Sequence, residues 1–407
     1  MLKTEVETGA KKRISRRDFV IAGVSATAVI TAPTILGATS KSGTRLPVIG
    51  QGEYMFEVEH DWALPNLPSS IKYGNTHSIV QDHNGNVYVH HTVHPDSQSS
   101  DAVVVFDHKG KFVRSWGAMF RNSGHGMHLQ KEGNTEYLYF ADERHGIVTK
   151  RTLKGEEVWT MAYPQESPTY QKGPGAKGPG GTAGLNYRPT NTCVDPKTLD
   201  FWIGDGYGAY YMFHYSQKTS TSQPVLVRTF AGPPPKPATP PAAAVPATPP
   251  VAGAAPAPAA TPPVRVPPGL EYTNNPHGNW IDTRDPQNPV LLIADRGNRR
   301  ILRYTLDDKP IDVIEGTGLP CHFHQHKDLL VVPDLDGRVH LIKENKVVSS
   351  FGGEQAGKPN PDRVTQNRAE FVPGQFNKPH GACFDHDGNL FVVEWVEIGR
   401  VNKLRRL

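Results

Sequence analysis

The run Pro379-His380-Gly381-Ala382-Cys383-Phe384-Asp385-His386-Asp387-Gly388-Asn389-Leu390-Phe391-Val392-Val393-Glu394 contains the plan of the whole chain. A His opens a short apolar strand, an Asp-Gly pair turns the chain, and a second β-branched strand ends in an acid. The same plan recurs at Thr76-His77-Ser78, Gly124-His125-Gly126 and Pro276-His277-Gly278. Acids close the second strands again in Phe140-Ala141-Asp142 and Ile293-Ala294-Asp295. A looser copy places His322 before Leu330-Val331-Val332-Pro333-Asp334, and another offers Thr190 in place of His, followed by Ile203-Gly204-Asp205. Amphipathic third strands such as Arg300-Ile301-Leu302-Arg303-Tyr304 follow. Fourth strands such as Phe112-Val113-Arg114-Ser115-Trp116 and Val347-Val348-Ser349-Ser350-Phe351 end each unit. Four short strands repeating at roughly 40–50 residues predict an all-β, six-bladed β-propeller.

First strands begin near His77, His125, Thr190, His277, His322 and His380. A residue recurring at one position of a radial repeat lies on a ring around one axis, so these side chains are expected to converge. The last blade runs out at Leu407 after three strands. Its fourth is expected from Tyr54-Met55-Phe56-Glu57-Val58-Glu59, ahead of blade one, which closes the circle and removes an open edge. Residues 231–268, almost entirely Pro, Ala, Thr and Val, are expected to be an extended excursion that packs no core.

The formal charge of +4 owes most of its value to residues 1–40, which hold Lys3, Lys11, Lys12, Arg13, Arg16 and Arg17 against Glu5, Glu7 and Asp18. The remaining body is nearly neutral, which argues against a nucleic-acid partner. Ser15-Arg16-Arg17-Asp18-Phe19-Val20, followed by a mildly apolar run from Val20 to Leu36, resembles a twin-arginine export signal. On that reading residues 1–40 are a signal peptide cleaved near Ala38, the propeller occupies 41–407, and the location is periplasmic or secreted. The twin-arginine translocase is then a partner during export, and no stable membrane span is expected after cleavage. Three cysteines make no disulfide framework, and Cys193 and Cys383, at equivalent positions on first strands, read as small core residues.

Phe371-Val372-Pro373-Gly374-Gln375-Phe376-Asn377-Lys378-Pro379-His380-Gly381 and Ile293-Ala294-Asp295-Arg296-Gly297-Asn298-Arg299-Arg300-Ile301 resemble NHL repeats. Within that class, residues 54–407 resemble the peptidyl-α-hydroxyglycine α-amidating lyases. The resemblance implies zinc, or another divalent transition metal, on the axis of a six-bladed propeller. Its ligands would be His125, His277 and His380 in blades two, four and six. It also implies active-site roles for Tyr207, in Gly204-Asp205-Gly206-Tyr207, and for Arg296, in Ala294-Asp295-Arg296. The family's blade-one arginine has no counterpart in His90-His91-Thr92, and the cysteines flanking its blade-three motif are replaced by Tyr187 and Gly208. His77 and His322 add imidazoles that the family's trio lacks.

Three blades at alternate positions are related by roughly three-fold symmetry, so three imidazoles can form one face of a tetrahedron with the fourth position open. Imidazole suits zinc, copper or iron alike. The expected activity is cleavage of the C–N bond of a carbinolamide in a small or peptide-derived substrate, with Tyr207 as base at a lowered pKa. Two other readings remain at this point: a metal-dependent hydrolase on the same site, and a non-catalytic binding propeller. The recurring acids Asp142, Asp205, Asp295, Asp334 and Glu394 are expected to hold backbone N–H groups.

Overall fold

In the second strand of blade four, Val290–Asp295, every residue is buried, whereas the fourth strand, Pro310–Ile314, is mostly exposed. The difference follows from a blade's position. Its inner strands are covered on both faces by neighbouring blades and therefore read as unbroken apolar runs. Its outermost strand faces water. The computed structural model describes residues 36–39, 45–170, 187–234 and 269–407. Among them are six antiparallel sheets, each with its first strand innermost in sequence order, arranged as a six-bladed β-propeller.

The core is not a central mass but six wedges, one at each blade–blade boundary. Val80, Tyr88 and Val105 of blade one meet Met127, Leu138 and Phe140 of blade two. Between blades two and three lie Tyr139, Trp159, Phe201 and Phe213. Further wedges join blades three and four, four and five, five and six, and six and one. Cys193 sits in the third–fourth wedge and Cys383 in the sixth–first, so both are buried, free thiols in separate cores.

Hairpins within blades use one recurring device. Asp82 Oδ1 accepts from the N–H groups of Asn84 and Asn86 at 2.9 and 2.8 Å, and Gly85 supplies φ +84°. Asp385 does the same for Asp387 and Asn389, with Gly388 at φ +85°. A side-chain oxygen that bonds its own backbone two residues on, followed by a residue free to adopt positive φ, makes a tight turn.

Blade six closes the ring. Its first three strands are Pro379–Phe384, Leu390–Glu394 and Arg400–Arg406, and the last pairs with Tyr54–Glu59 in the register Leu404↔Val58. The structure adds two strands that the sequence did not suggest. Arg45–Gln51 pairs outside Tyr54–Glu59, and Leu36–Thr39 pairs outside that. The expected boundary at residue 40 falls between these two strands. The twin-arginine motif and nearly all of the 231–268 insertion lie outside the described residues. No helix among the described residues is long and apolar enough to cross a membrane.

Candidate functional site

First strands start at the axis, and the register places their opening residues in one ring. The centroids of His125, His277 and His380 form a near-equilateral triangle, with sides of 4.8 Å (125–277), 4.8 Å (277–380) and 5.0 Å (125–380). Each ring is tied to the following blade in the same way. His125 Nδ1 lies 2.7 Å from the Thr190 carbonyl, His277 Nδ1 2.8 Å from that of Cys321, and His380 Nδ1 2.9 Å from that of His77. A carbonyl only accepts, so Nδ1 carries the proton in all three and Nε2 keeps its lone pair. Burial holds all three imidazoles far below the ordinary pKa, His380 at about 3, so they are neutral at pH 7. Neutral imidazoles, fixed in tautomer by a carbonyl, are what a transition metal needs from histidine.

The glycine after each of these histidines has a specific job. A Cβ on Gly126, Gly278 or Gly381 would come well inside 3.0 Å of the carbonyl that orients the imidazole: Thr190 O, Cys321 O and His77 O respectively. The His-Gly pair is therefore a single structural unit. Only glycine lets the next blade's carbonyl come close enough to receive the Nδ1 proton.

The two other ring histidines lack that glycine. His77 is followed by Ser78, whose hydroxyl donates to the His125 carbonyl at 2.7 Å. His77 Nδ1 is buried with no partner among the described residues, as are both nitrogens of His322. Thr190, the blade-three member, bonds the Gly204 and Pro276 carbonyls at 3.0 Å each.

Among the described residues, two groups have donor atoms that all lie within 4.8 Å of one another: His77, His125 and His380, and His277, Cys321 and His380. Each group holds two members of the predicted trio, with His380 common to both, and neither holds all three. Cys321 is an addition that sequence reasoning missed. Its thiol receives a 3.8 Å contact from Arg296 Nη1, and burial pushes it up to about 11. The signal was available, because Cys321 directly precedes a ring histidine, where other blades carry Pro, Thr or Gly.

Tyr207 and Arg296 reach the same cluster. Tyr207 follows the second strand of blade three, Phe201–Gly204, and its hydroxyl stands 3.1 Å from His277 Nε2 and 3.4 Å from His125 Nε2. Arg296, just past Val290–Asp295, donates through Nη2 to that hydroxyl at 2.9 Å and through Nε to Asn275 Oδ1 at 2.6 Å. Without a metal the Tyr207 pKa is raised, because burial outweighs the pull of the Arg296 guanidinium; the expected lowering rested on a metal as well as on that cation.

The acids that end the second strands act on loops. Each accepts N–H groups from the segment leading into its own blade's ring residue: Asp205 from Arg188, Asp295 from Asn274, and Glu394 from Asn377 at 2.5–2.7 Å. Asp334 does so from Gly318 and Leu319, and Asp142 accepts from the Ser123 hydroxyl. In blade one His91 stands at this position, and its Nδ1 accepts from Gly74 and Val93 at 3.3 and 3.0 Å. A neutral imidazole does the carboxylate's task. Burial raises Asp205 to about 7, yet the Tyr170 hydroxyl and two backbone N–H groups occupy its oxygens, so it is a positioning residue.

No family model matches the sequence, and no curated protein matches it. Solved structures do. A streptogramin B lyase aligns over 86% of this chain and 97% of its own at 12% identity, with a TM-score of 0.48. Virginiamycin B lyase from Staphylococcus aureus gives 86% and 100% coverage, 12% identity and a TM-score of 0.46. Glutaminyl cyclase from Myxococcus xanthus gives 69% and 89%, 11% identity and 0.35. At such identities and TM-scores these likenesses say nothing about the chemistry of this chain. The propeller itself rests on the strand pairing.

Proposed function

We propose that this protein is an exported, metal-dependent lyase that cleaves the C–N bond of a carbinolamide, as peptidyl-α-hydroxyglycine α-amidating lyases do. The observation that carries the reading is the Tyr207 hydroxyl, set between His125 Nε2, His277 Nε2 and the Arg296 guanidinium. The donor set fits a metal: three neutral imidazoles with Nδ1 anchored and Nε2 free of backbone partners. His125, His277 and His380 would hold the ion, zinc or another divalent transition metal, and its Lewis acidity would lower the pKa of a substrate hydroxyl.

This chain's own residues do the rest. Tyr207 would take the proton from the carbinol hydroxyl, the ion's charge adding to that of Arg296 to offset the burial that raises the phenol's pKa. The oxygen's electron pair then forms the aldehyde C=O as the C–N bond breaks. The proton held by Tyr207 passes to the departing nitrogen, giving a primary amide and an aldehyde. Arg296 also offers charge to a substrate carboxylate, a task it carries without the family's blade-one arginine. Asn275 fixes the guanidinium plane, so Arg296 arrives oriented.

Protein purified without a polyhistidine tag should contain about one equivalent of transition metal, the stoichiometry of a single closed ring of ligands. Replacing His125, His277 or His380 with Ala should remove most of it while the β-rich circular dichroism persists. Tyr207→Phe should keep the metal and lose turnover of an α-hydroxyglycine substrate. Metal present without carbinolamide cleavage, but with ester hydrolysis, would replace the lyase by a hydrolase. For export, Lys-Lys at Arg16-Arg17 should retain the protein in the cytoplasm, and unchanged export would remove that part of the reading.

A further inference from the structure

We infer that His77 is a fourth, displaceable ligand of the ion assigned above to His125, His277 and His380. The inference rests on that assignment and extends it. Three observations converge. His77 lies in one of the two groups whose donor atoms are mutually within 4.8 Å, sharing it with His125 and His380. Its ring centroid is 4.7 Å from that of His380 and 5.1 Å from that of His125, spacings like those inside the trio. Its Nδ1 is buried and without a partner among the described residues, although the side chain is only 6% exposed.

The third observation explains why this ligand would differ from the others. The three anchored histidines each donate to a carbonyl of the next blade across a glycine. For His77 the corresponding carbonyl belongs to His125, and the Ser78 hydroxyl already holds it at 2.7 Å. The same hydroxyl also accepts from the Met127 N–H at 3.2 Å. The His77 imidazole therefore has position without an anchor. The unpaired Nδ1 costs roughly 1–3 kcal/mol and leaves the ring without the tether that fixes the other three, while Nε2 is the atom it would offer to the ion. Nothing comparable holds the ring there once a better ligand arrives.

At rest the ion would have four imidazoles, and an incoming substrate oxygen would replace His77, opening the site on the blade-one side. The exchange moves no electrons: one metal–nitrogen bond gives way to one metal–oxygen bond, and His77 keeps its proton count. Four imidazoles also widen the choice of metal towards ions that accept five or six ligands, such as copper or iron.

The test uses the full chain loaded with cobalt(II), whose visible d–d absorption reports ligand number and type, and titrates it with glycolate, a hydroxyl and a carboxylate in one small molecule. In the native protein glycolate should alter the d–d bands. In His77→Ala the resting spectrum should already resemble the glycolate-bound form. Glycolate should bind about tenfold more tightly, the factor by which a mostly closed site weakens an incoming ligand. Ser78→Gly should act in the opposite direction: it frees the His125 carbonyl for His77 Nδ1, so cobalt binds more tightly and glycolate more weakly. It also guards against a folding defect in His77→Ala. His322→Ala should leave both readouts unchanged. If His77→Ala and Ser78→Gly both keep the native spectrum and glycolate affinity, His77 is no ligand, while the three-histidine site stands. If native protein binds no cobalt, the three-histidine assignment itself falls.

Discussion

Gly278 shows how much of the site is decided by residues with no chemistry of their own. A Cβ there would collide with Cys321 O, the carbonyl that sets the His277 tautomer. Gly278→Ala should therefore weaken metal binding by about 10–100-fold, the usual cost of losing a partner that orients a ligand. Gly133→Ala, strained by its φ of +60° but with open surroundings away from the axis, controls for backbone cost without loss of a carbonyl, and equilibrium dialysis of the two variants makes the comparison. Equal affinities would show that the carbonyl does not matter. The sequence displayed the histidines clearly, because Pro-His-Gly and Gly-His-Gly repeat at the head of a strand. It could not display why glycine follows them, because the carbonyl concerned comes from another blade 44 or more positions away. The Tyr207 pKa has a related lesson: a neighbouring cation is visible in a motif, but the burial that opposes it is not.

At the scale of elements, the inner strands were the easiest to read. Leu291-Leu292-Ile293-Ala294 is continuous and apolar because both faces are covered. The closing strand Tyr54–Glu59 was legible for the same reason, with Phe56 and Val58 entering the wedge against blade five. Arg45–Gln51 was not, since Val48, Ile49 and Gly50 are buried side by side rather than in the alternation that marks a half-buried strand. Deleting residues 41–60 should leave the edge of Arg400–Arg406 unpaired and remove Phe56 and Val58 from their core. Loss of cooperative thermal unfolding, or aggregation, is expected. A soluble truncation with a sharp transition would mean that blade six closes another way.

The whole molecule depends on six wedges completed by described residues, so the Pro- and Ala-rich stretch is dispensable for stability on this account. Replacing residues 235–266 with a short Gly/Ser linker should shift Tm by no more than about 1 °C, the effect of less than ~1 kcal/mol in a domain of this size. Buried histidines give the molecule a second collective property. His60, His90, His91 and His324 are all held at about 3 by burial, against 6.5 for a free imidazole. Their folded pKa values are depressed, so the unfolded chain binds more protons between pH 6.5 and 3, and stability falls as the pH drops through that window. At pH 5.5 the four together remove roughly 5–6 kcal/mol, a large part of a typical folding free energy. Urea unfolding from pH 7.5 to 5 should show this steep loss, and a flat profile down to pH 5 would contradict the burial of these rings.

The pairing of the first blade strand made with the last has a consequence in time. The contact between His60 Nδ1 and Asn402 Oδ1 spans 342 positions, so the N-terminal strand emerges from the ribosome long before its partner. At about 5–20 residues per second it waits roughly 20–70 s with its edge bare and Phe56 and Val58 uncovered. Five blades can stack while the chain lengthens, but the ring can shut only after Leu404 has been delivered. A stalled or truncated product is therefore marked by an open circle. Any route that carries only folded proteins has, in that one late pairing, a physical sign that the ring has shut.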